Sequence, residues 1–348
     1  MPDERVESLH TDAVVVDTHN DLLMLVSRRP PEDQAGYFRD QWLPQLRAGG
    51  VDVQVLPVFI DDDFRPEGAL RQTLRMLEAG HRLAEGNAQH VAICRTGTEI
   101  DAALDSGRIA LILALEGCEA IGTDVALLHT MARLGVRMAS FTHFGRTALA
   151  DGSAEDAAGS RLTAAGIDAL RLLEELHVVV DVSHLSAGCT DHILELATRP
   201  VVASHSSAFS VRAHHRNLTD ERLKGIAASG GVVGVNFFFG FVDPAQPTMD
   251  RLVDHIEHVA SVAGIDHVGM GPDFMQEVCE QLYPPAVSTD FDGMSMATCI
   301  PGLEGPAGLP LVTEALLARG WPDQDIRKVL GENWLRVFAP TSDSDSSD

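Results

Sequence analysis

The chain of 348 residues is 45% apolar and carries a formal charge of −25 from 51 acidic and 26 basic residues. This anionic excess argues against nucleic acid or an anionic membrane as partner, and no apolar run is long enough to span a bilayer. Met1 to Arg5 provide no apolar segment for a signal peptide, and five scattered cysteines without CxxC spacing fit a reducing, cytoplasmic setting without disulfides or a thiolate zinc site.

The first element is Val14–Val16, three β-branched residues that read as a buried strand and run into Asp17-Thr18-His19-Asn20-Asp21. Strand residues alternate faces, so His19 and Asp21 are expected on one side at its carboxyl end. A second strand is predicted over Val51–Ile60, with an amphipathic helix from about Pro66 to Ala88. Val91–Cys94 is a strand-like piece without an obvious place. The third strand, Ile109–Leu115, ends in Glu116-Gly117 and is followed by a helix over Asp124–Leu134. Arg137–Thr142 makes the fourth and ends in His143. A helix is predicted over Leu162–His177, with Thr163 as its cap. Val178–Ser183 and Val201–Ser204 are the fifth and sixth strands, ending in His184 and His205. After a helix over Thr219–Ala228 comes the seventh, Gly231–Phe238. A helix over Met249–Ala263 leads to the eighth, His267–Gly271, and to Asp273. Met275–Pro310 is rich in Pro, Gly and Ser and reads as a long loop able to serve as a lid. Helices near Leu311–Arg319 and Asp323–Val337 complete a single domain over residues 1–339, and the Ser/Asp-rich residues 340–348 are expected to be disordered.

Eight strands separated by helices predict an α/β fold, a (β/α)8 TIM barrel of metal-dependent hydrolase type. A doubly wound sheet is disfavoured because no glycine-rich phosphate loop follows the first strand. In a barrel the reacting groups sit at the carboxyl ends of strands, where His19, Asp21, Glu116, His143, His184, His205 and Asp273 all fall. Each alone has a plainer role, as a helix cap, a backbone hydrogen bond or a surface turn; convergence on one rim is the argument for a metal site. Five ligands (His19, Asp21, Glu116, His184 and His205) exceed the three of a typical catalytic zinc and suit two ions that share a carboxylate. The only lysines, Lys224 and Lys328, fall in predicted helices, which removes a lysine carbamate and leaves Glu116 as the bridge. Two such ions imply metal-assisted hydrolysis.

Together these residues resemble the membrane (renal) dipeptidase family, peptidase family M19, among the amidohydrolase-like barrels. The resemblance spans about Ala13 to Phe338. It rests on Asp17-Thr18-His19-Asn20-Asp21, Leu115-Glu116-Gly117, Thr142-His143, Asp181-Val182-Ser183-His184, Ser204-His205-Ser206, Arg216-Asn217-Leu218-Thr219-Asp220, Gly271-Pro272-Asp273-Phe274 and Gly331-Glu332-Asn333-Trp334-Leu335-Arg336-Val337-Phe338. It implies a zinc dipeptidase in which His19 and Asp21 hold one ion, His184 and His205 the other, and Glu116 bridges them. A bridging hydroxide would attack the scissile carbonyl, and His143 would bind substrate and steady the oxyanion. Asp273 would carry the proton to the leaving amine, and Arg216 would grip the carboxylate of a dipeptide. Where the family has a proline after HxD, this chain has Leu22-Leu23-Met24-Leu25. Ala148-Leu149 replaces a Pro-Trp pair, and Phe274-Met275-Gln276 replaces Phe-Asp-Gly. The pocket wall is thus altered while the ligands are intact, which leaves two alternatives open: an amidohydrolase acting on a non-peptide amide or lactam, and an inactive binding barrel. The lipid anchor of the animal members is not expected from the Ser/Asp tail. The oligomeric state, a homodimer included, is left open.

Overall fold

The computed structural model describes residues 4–283, 296 and 298–339. Its strands are β1 (Val15–Asp17), β2 (Val51–Phe59), β3 (Val91–Ile93), β4 (Ile109–Glu116), β5 (Val136–Ser140), β6 (Val179–Asp181), β7 (Val201–Val202), β8 (Val233–Asn236) and β9 (Val268–Gly271). All but β3 answer to the eight predicted barrel strands. They pair in parallel in the order β1-β2-β4-β5-β6-β7 and, separately, β8-β9. A parallel bridge from Ala203 to Val233 joins β7 to β8. The circuit closes where the Asp273 amide donates to the His19 carbonyl at 2.9 Å. The result is a curled parallel sheet of TIM-barrel type.

β3, the piece without a predicted place, pairs with the amino half of β4 (Ile109–Leu111), and β5 takes Leu113–Leu115 beyond it. β4 is long enough to serve two neighbours in turn, which periodicity alone does not reveal.

β4 also shows how the barrel aims its site. All eight of its residues are buried, as expected of a parallel strand covered on both faces. Ala110, Ile112 and Ala114 join one apolar cluster, with Val16, Val53, Val55 and Trp334. Leu111, Leu113 and Leu115 join the other, with the surrounding helices. The first set is the barrel interior, and Glu116 continues its row, so period two alone points the carboxylate inward. Trp334 fills the interior at the opposite end, where a side chain on Gly269 would lie 2.2 Å from its indole nitrogen. The Gly331–Phe338 segment of the sequence motif is therefore a stopper, fixed by Asn333 Nδ2 donating to the carbonyls of Ile265 and Val268 at 2.8 Å each.

The predicted helices stand with small shifts at their ends, except that Asp323–Val337 divides into Asp323–Arg327 and Asn333–Phe338 with a π-helical stretch, Lys328–Glu332, between them. Ala164–Glu175 starts where Thr163 Oγ1 accepts from the Gly166 amide at 3.0 Å. Helices at Glu4–Asp12, Leu22–Ser27, Gly97–Asp105 and Ala187–Leu196 were not predicted. The segment read as one long loop after Met275 begins with a helix, Gln276–Leu282; its residues 284–295 and 297, and the tail 340–348, lie outside the described residues. No described helix is long and apolar enough to cross a membrane.

Candidate metal centre

Seven side chains predicted at strand ends meet above the barrel. Glu116 lies at their middle: His19 Nε2 is 3.5 Å from its Oε2, while His184, His205 and His143 Nε2 are 3.0, 3.7 and 3.8 Å from its Oε1. Asp21 Oδ1 and Asp273 Oδ1 lie 3.9 and 4.0 Å from His19 Nε2. Their donor atoms form three overlapping groups able to hold a cation: His19-Glu116-His205, Glu116-His143-His184 and His19-Asp21-Asp273. Glu116 is thus shared between two histidine groups. His143 is the most open of the four histidines: its side chain is 21% exposed, against 5% for His184 and 1% for His205.

The backbone is bent to achieve this convergence. His184 and Asp273 have φ of 70° and 57°, a left-handed conformation uncommon outside glycine and found where a site requires it. A second row fixes the His205 ring and the backbone around it. Asp181 Oδ1 accepts the Ser183 and Ser204 amides at 2.9 Å each, and its Oδ2 lies 2.5 Å from Ser204 Oγ. Ser204 Oγ is in turn 2.7 Å from His205 Nδ1. A carboxylate only accepts, so Ser204 donates to Asp181 and accepts from His205 Nδ1–H. That tautomer leaves the Nε2 lone pair free to face Glu116, the usual arrangement behind a metal-bound imidazole. Asp17 plays the corresponding part for β1, accepting the His19 amide at 3.0 Å. Asn236, at the end of β8, donates to Asp273 Oδ2 at 2.8 Å.

Asp181, Ser204, Asp17 and Asn236 were missed as functional residues by sequence reasoning. Three of them lie inside recognised motifs, in Asp-Val-Ser-His, Ser-His-Ser and Asp-Thr-His, and Asn236 ends a strand as the converging side chains do. That shared position was the available signal.

The electrostatics suit cations. Burial opposes charge on His19, but the carboxylates of Glu116, Asp21 and Asp273 outweigh it and push its pKa up to about 10. Burial and then Glu116 hold Asp21 well above the ordinary carboxylate range. Burial, seconded by Arg216, holds His143 and His184 well below the ordinary imidazole value, and burial with His19 does the same to His205. Asp21 Oδ1 is buried with no hydrogen-bond partner. His184 and His205 bring their Nε2 atoms within 2.7 Å of each other. Three neutral imidazoles, crowded carboxylates and an orphaned oxygen are what divalent cations satisfy, since each ion binds imidazole in its neutral form and favours the carboxylate anion.

A model of the membrane dipeptidase family (peptidase family M19) matches residues 3–283 and 286–347. The chain belongs to this family. As an M19 metallopeptidase it is similar to the dipeptidase verJ of Clonostachys rogersoniana, at 30% identity over 95% of this chain and 84% of that one. A crystal structure of an M19 metallopeptidase titled dipeptidase AC superposes with TM-score 0.82 at 27% identity, over 94% of this chain and 98% of its own. A metallopeptidase from Rhodobacter sphaeroides, liganded with a phosphinate mimic of the dipeptide L-Ala-D-Ala, also reaches 0.82 at 26% identity, over 94% and 99%.

If Ser204 orients His205 for a metal, Ser204→Ala should weaken metal binding by about 10- to 100-fold. Competition with a chelator reads this directly, and unaltered affinity would reduce Ser204 to a packing role.

Proposed function

We propose that the chain is a dinuclear zinc dipeptidase that hydrolyses the peptide bond of small dipeptides. The observation that carries this reading is the Glu116 carboxylate, whose Oε2 faces His19 and whose Oε1 faces His184 and His205. In this reading His19 and Asp21 hold one ion, His184 and His205 the other, and Glu116 bridges them. Imidazole with carboxylate and without thiolate is a donor set that suits zinc. Bound there, two such ions lower the pKa of a water and polarise a carbonyl.

The protein's own groups supply the rest. Asn236 occupies Oδ2 of Asp273, so Oδ1, the oxygen facing His19, is the one placed to take a proton from the attacking water and return it to the leaving amine. His143 is kept neutral by burial and the Arg216 cation, and its exposed ring edge can donate a hydrogen bond to the oxyanion that develops.

Arg216 is 3% exposed, and its guanidinium touches neutral groups: Ser206 Oγ at 3.3 Å and the His205 carbonyl at 3.1 Å. Its Nε has no partner, and no carboxylate among the described residues lies within ion-pair distance of it. Burial pulls its pKa down to about 10 against the pull of Asp273 and Glu116. A buried guanidinium without an adjacent anion is costly, and the terminal carboxylate of a dipeptide would relieve that cost through a planar fork. The dipeptide mimic bound by the Rhodobacter sphaeroides relative supports the same substrate class, because a phosphinate copies the tetrahedral stage of amide hydrolysis.

Two outcomes test the assignment. Asp273→Asn should lower kcat on the order of 100-fold or more while zinc content and fold persist; zinc lost with the activity would make Asp273 a ligand instead. Arg216→Lys should reduce kcat/KM for free dipeptides by about 2 kcal/mol or more and barely affect C-terminally amidated ones. Equal losses on both would remove Arg216 from the substrate site.

A further inference from the structure

His255 lies on the helix Met249–Ala263, outside the metal centre, and has no exposed surface. Both of its ring nitrogens are committed to backbone groups. Nδ1 is 3.1 Å from the amide nitrogen of Ala208, and Nε2 is 3.1 Å from the carbonyl oxygen of Val242. A carbonyl only accepts, so Nε2 carries the proton and Nδ1 accepts from the Ala208 N–H. One neutral tautomer satisfies both contacts, and burial keeps the ring neutral by pushing its pKa down to about 4.

These two anchors belong to the two loops between which Arg216 is seated. Ala208 lies in the loop that runs from His205 to Arg216. It bridges to Leu218, whose amide donates to the Ser207 carbonyl at 2.8 Å, so fixing Ala208 fixes the chain on either side of Arg216. Val242 ends the turn Phe239–Val242, and the ring of Phe241 in that turn lies 5.2 Å from the Arg216 guanidinium carbon. Asn217 ties the loops together, with Nδ2 donating to the Phe241 carbonyl at 2.9 Å. Among the described residues bonded to both loops, His255 alone comes from a separate helix of the frame.

We propose that His255 is a positioning residue for Arg216, holding at a fixed spacing the two loops that clamp the guanidinium. This inference rests on the reading of Arg216 as the group that binds the substrate carboxylate. It assigns a task in substrate recognition to a buried histidine outside the metal centre.

The test compares kinetics of zinc-loaded variants on free and C-terminally amidated dipeptides. His255→Leu should raise KM for free dipeptides roughly tenfold, the equivalent of one hydrogen bond to a charged group. It should leave kcat within about twofold, spare the amidated substrates and retain the bound zinc. In an Arg216→Lys background it should add less than about twofold, because both changes act on one interaction. His255→Asn offers an amide oxygen near the position of Nδ1 and keeps only the Ala208 anchor, whereas His255→Gln reaches only Val242. Each should raise KM for free dipeptides, by less than the leucine variant. If the leucine variant is not recovered folded, the two amide variants carry the test. Equal effects on both substrate types, additivity with Arg216→Lys, or wild-type KM in either amide variant would overturn the proposal. A response to Arg216→Lys with none to His255→Leu overturns this inference alone. No response to Arg216→Lys overturns the carboxylate reading, and the inference with it.

Discussion

The Nε2 atoms of His19, His143, His184 and His205 lie 3.5, 3.8, 3.0 and 3.7 Å from the carboxylate of Glu116, whose side chain is only 7% exposed. Gathering so many polar groups away from water is unfavourable unless each has a partner, and the rest of the molecule is arranged around that constraint. The barrel provides the convergence, because parallel strands end on one rim and period two aims alternate residues inward. Asp17, Asp181, Ser204 and Asn236 provide the fixed partners. The left-handed backbone at His184 and Asp273 is local strain that a packed frame can hold and an isolated loop could not.

The charge of the whole chain gives little guide to this interior. The net −25 is a sum over the whole chain, whereas the centre pairs imidazoles with buried acids. Beside them lies Arg216, the only fully buried arginine or lysine among the described residues. A cationic group next to a cluster that accepts cations is electrostatically awkward by itself. It becomes consistent if one end of the substrate is anionic and the other meets the metal centre. A dipeptide spans those two requirements, since its carboxylate and its scissile amide are one residue apart.

The strands were legible because a parallel barrel buries them on both faces. Val14–Val16, Ile109–Leu115 and Val201–Ser204 therefore stand out as short apolar runs that lead into a residue of the metal centre's candidate groups. Met249–Ala263 was legible for a different reason, a strong helical period bounded by Thr248 and Gly264. The missed helices are short, and in two of them a cap was the remaining signal. Thr96 Oγ1 accepts from the Glu99 amide at the start of Gly97–Asp105, and Ser186 does the same for Ala187–Leu196. Leu22–Ser27 is apolar throughout and buried over five of its six residues, so it has no polar face from which a period could be read. At the site the converging histidines and carboxylates were visible, since strand ends mark them. Their orienting partners were not, because a serine or asparagine beside one of them acquires its role only when strands distant in sequence come together. Asp181 reaches Ser204 across the gap between β6 and β7, and His255 reaches Ala208 from another helix.

The central claim is that one carboxylate serves two metal ions. It is tested most directly by the zinc content of the purified protein and of Glu116→Gln, measured by elemental analysis with folding checked by circular dichroism. The account predicts about two equivalents per chain in the wild type, since five ligands exceed the usual demand of one catalytic ion, and the loss of both together in a folded variant. A variant that loses one ion and keeps the other at full affinity, or a wild type that saturates with one, would contradict it.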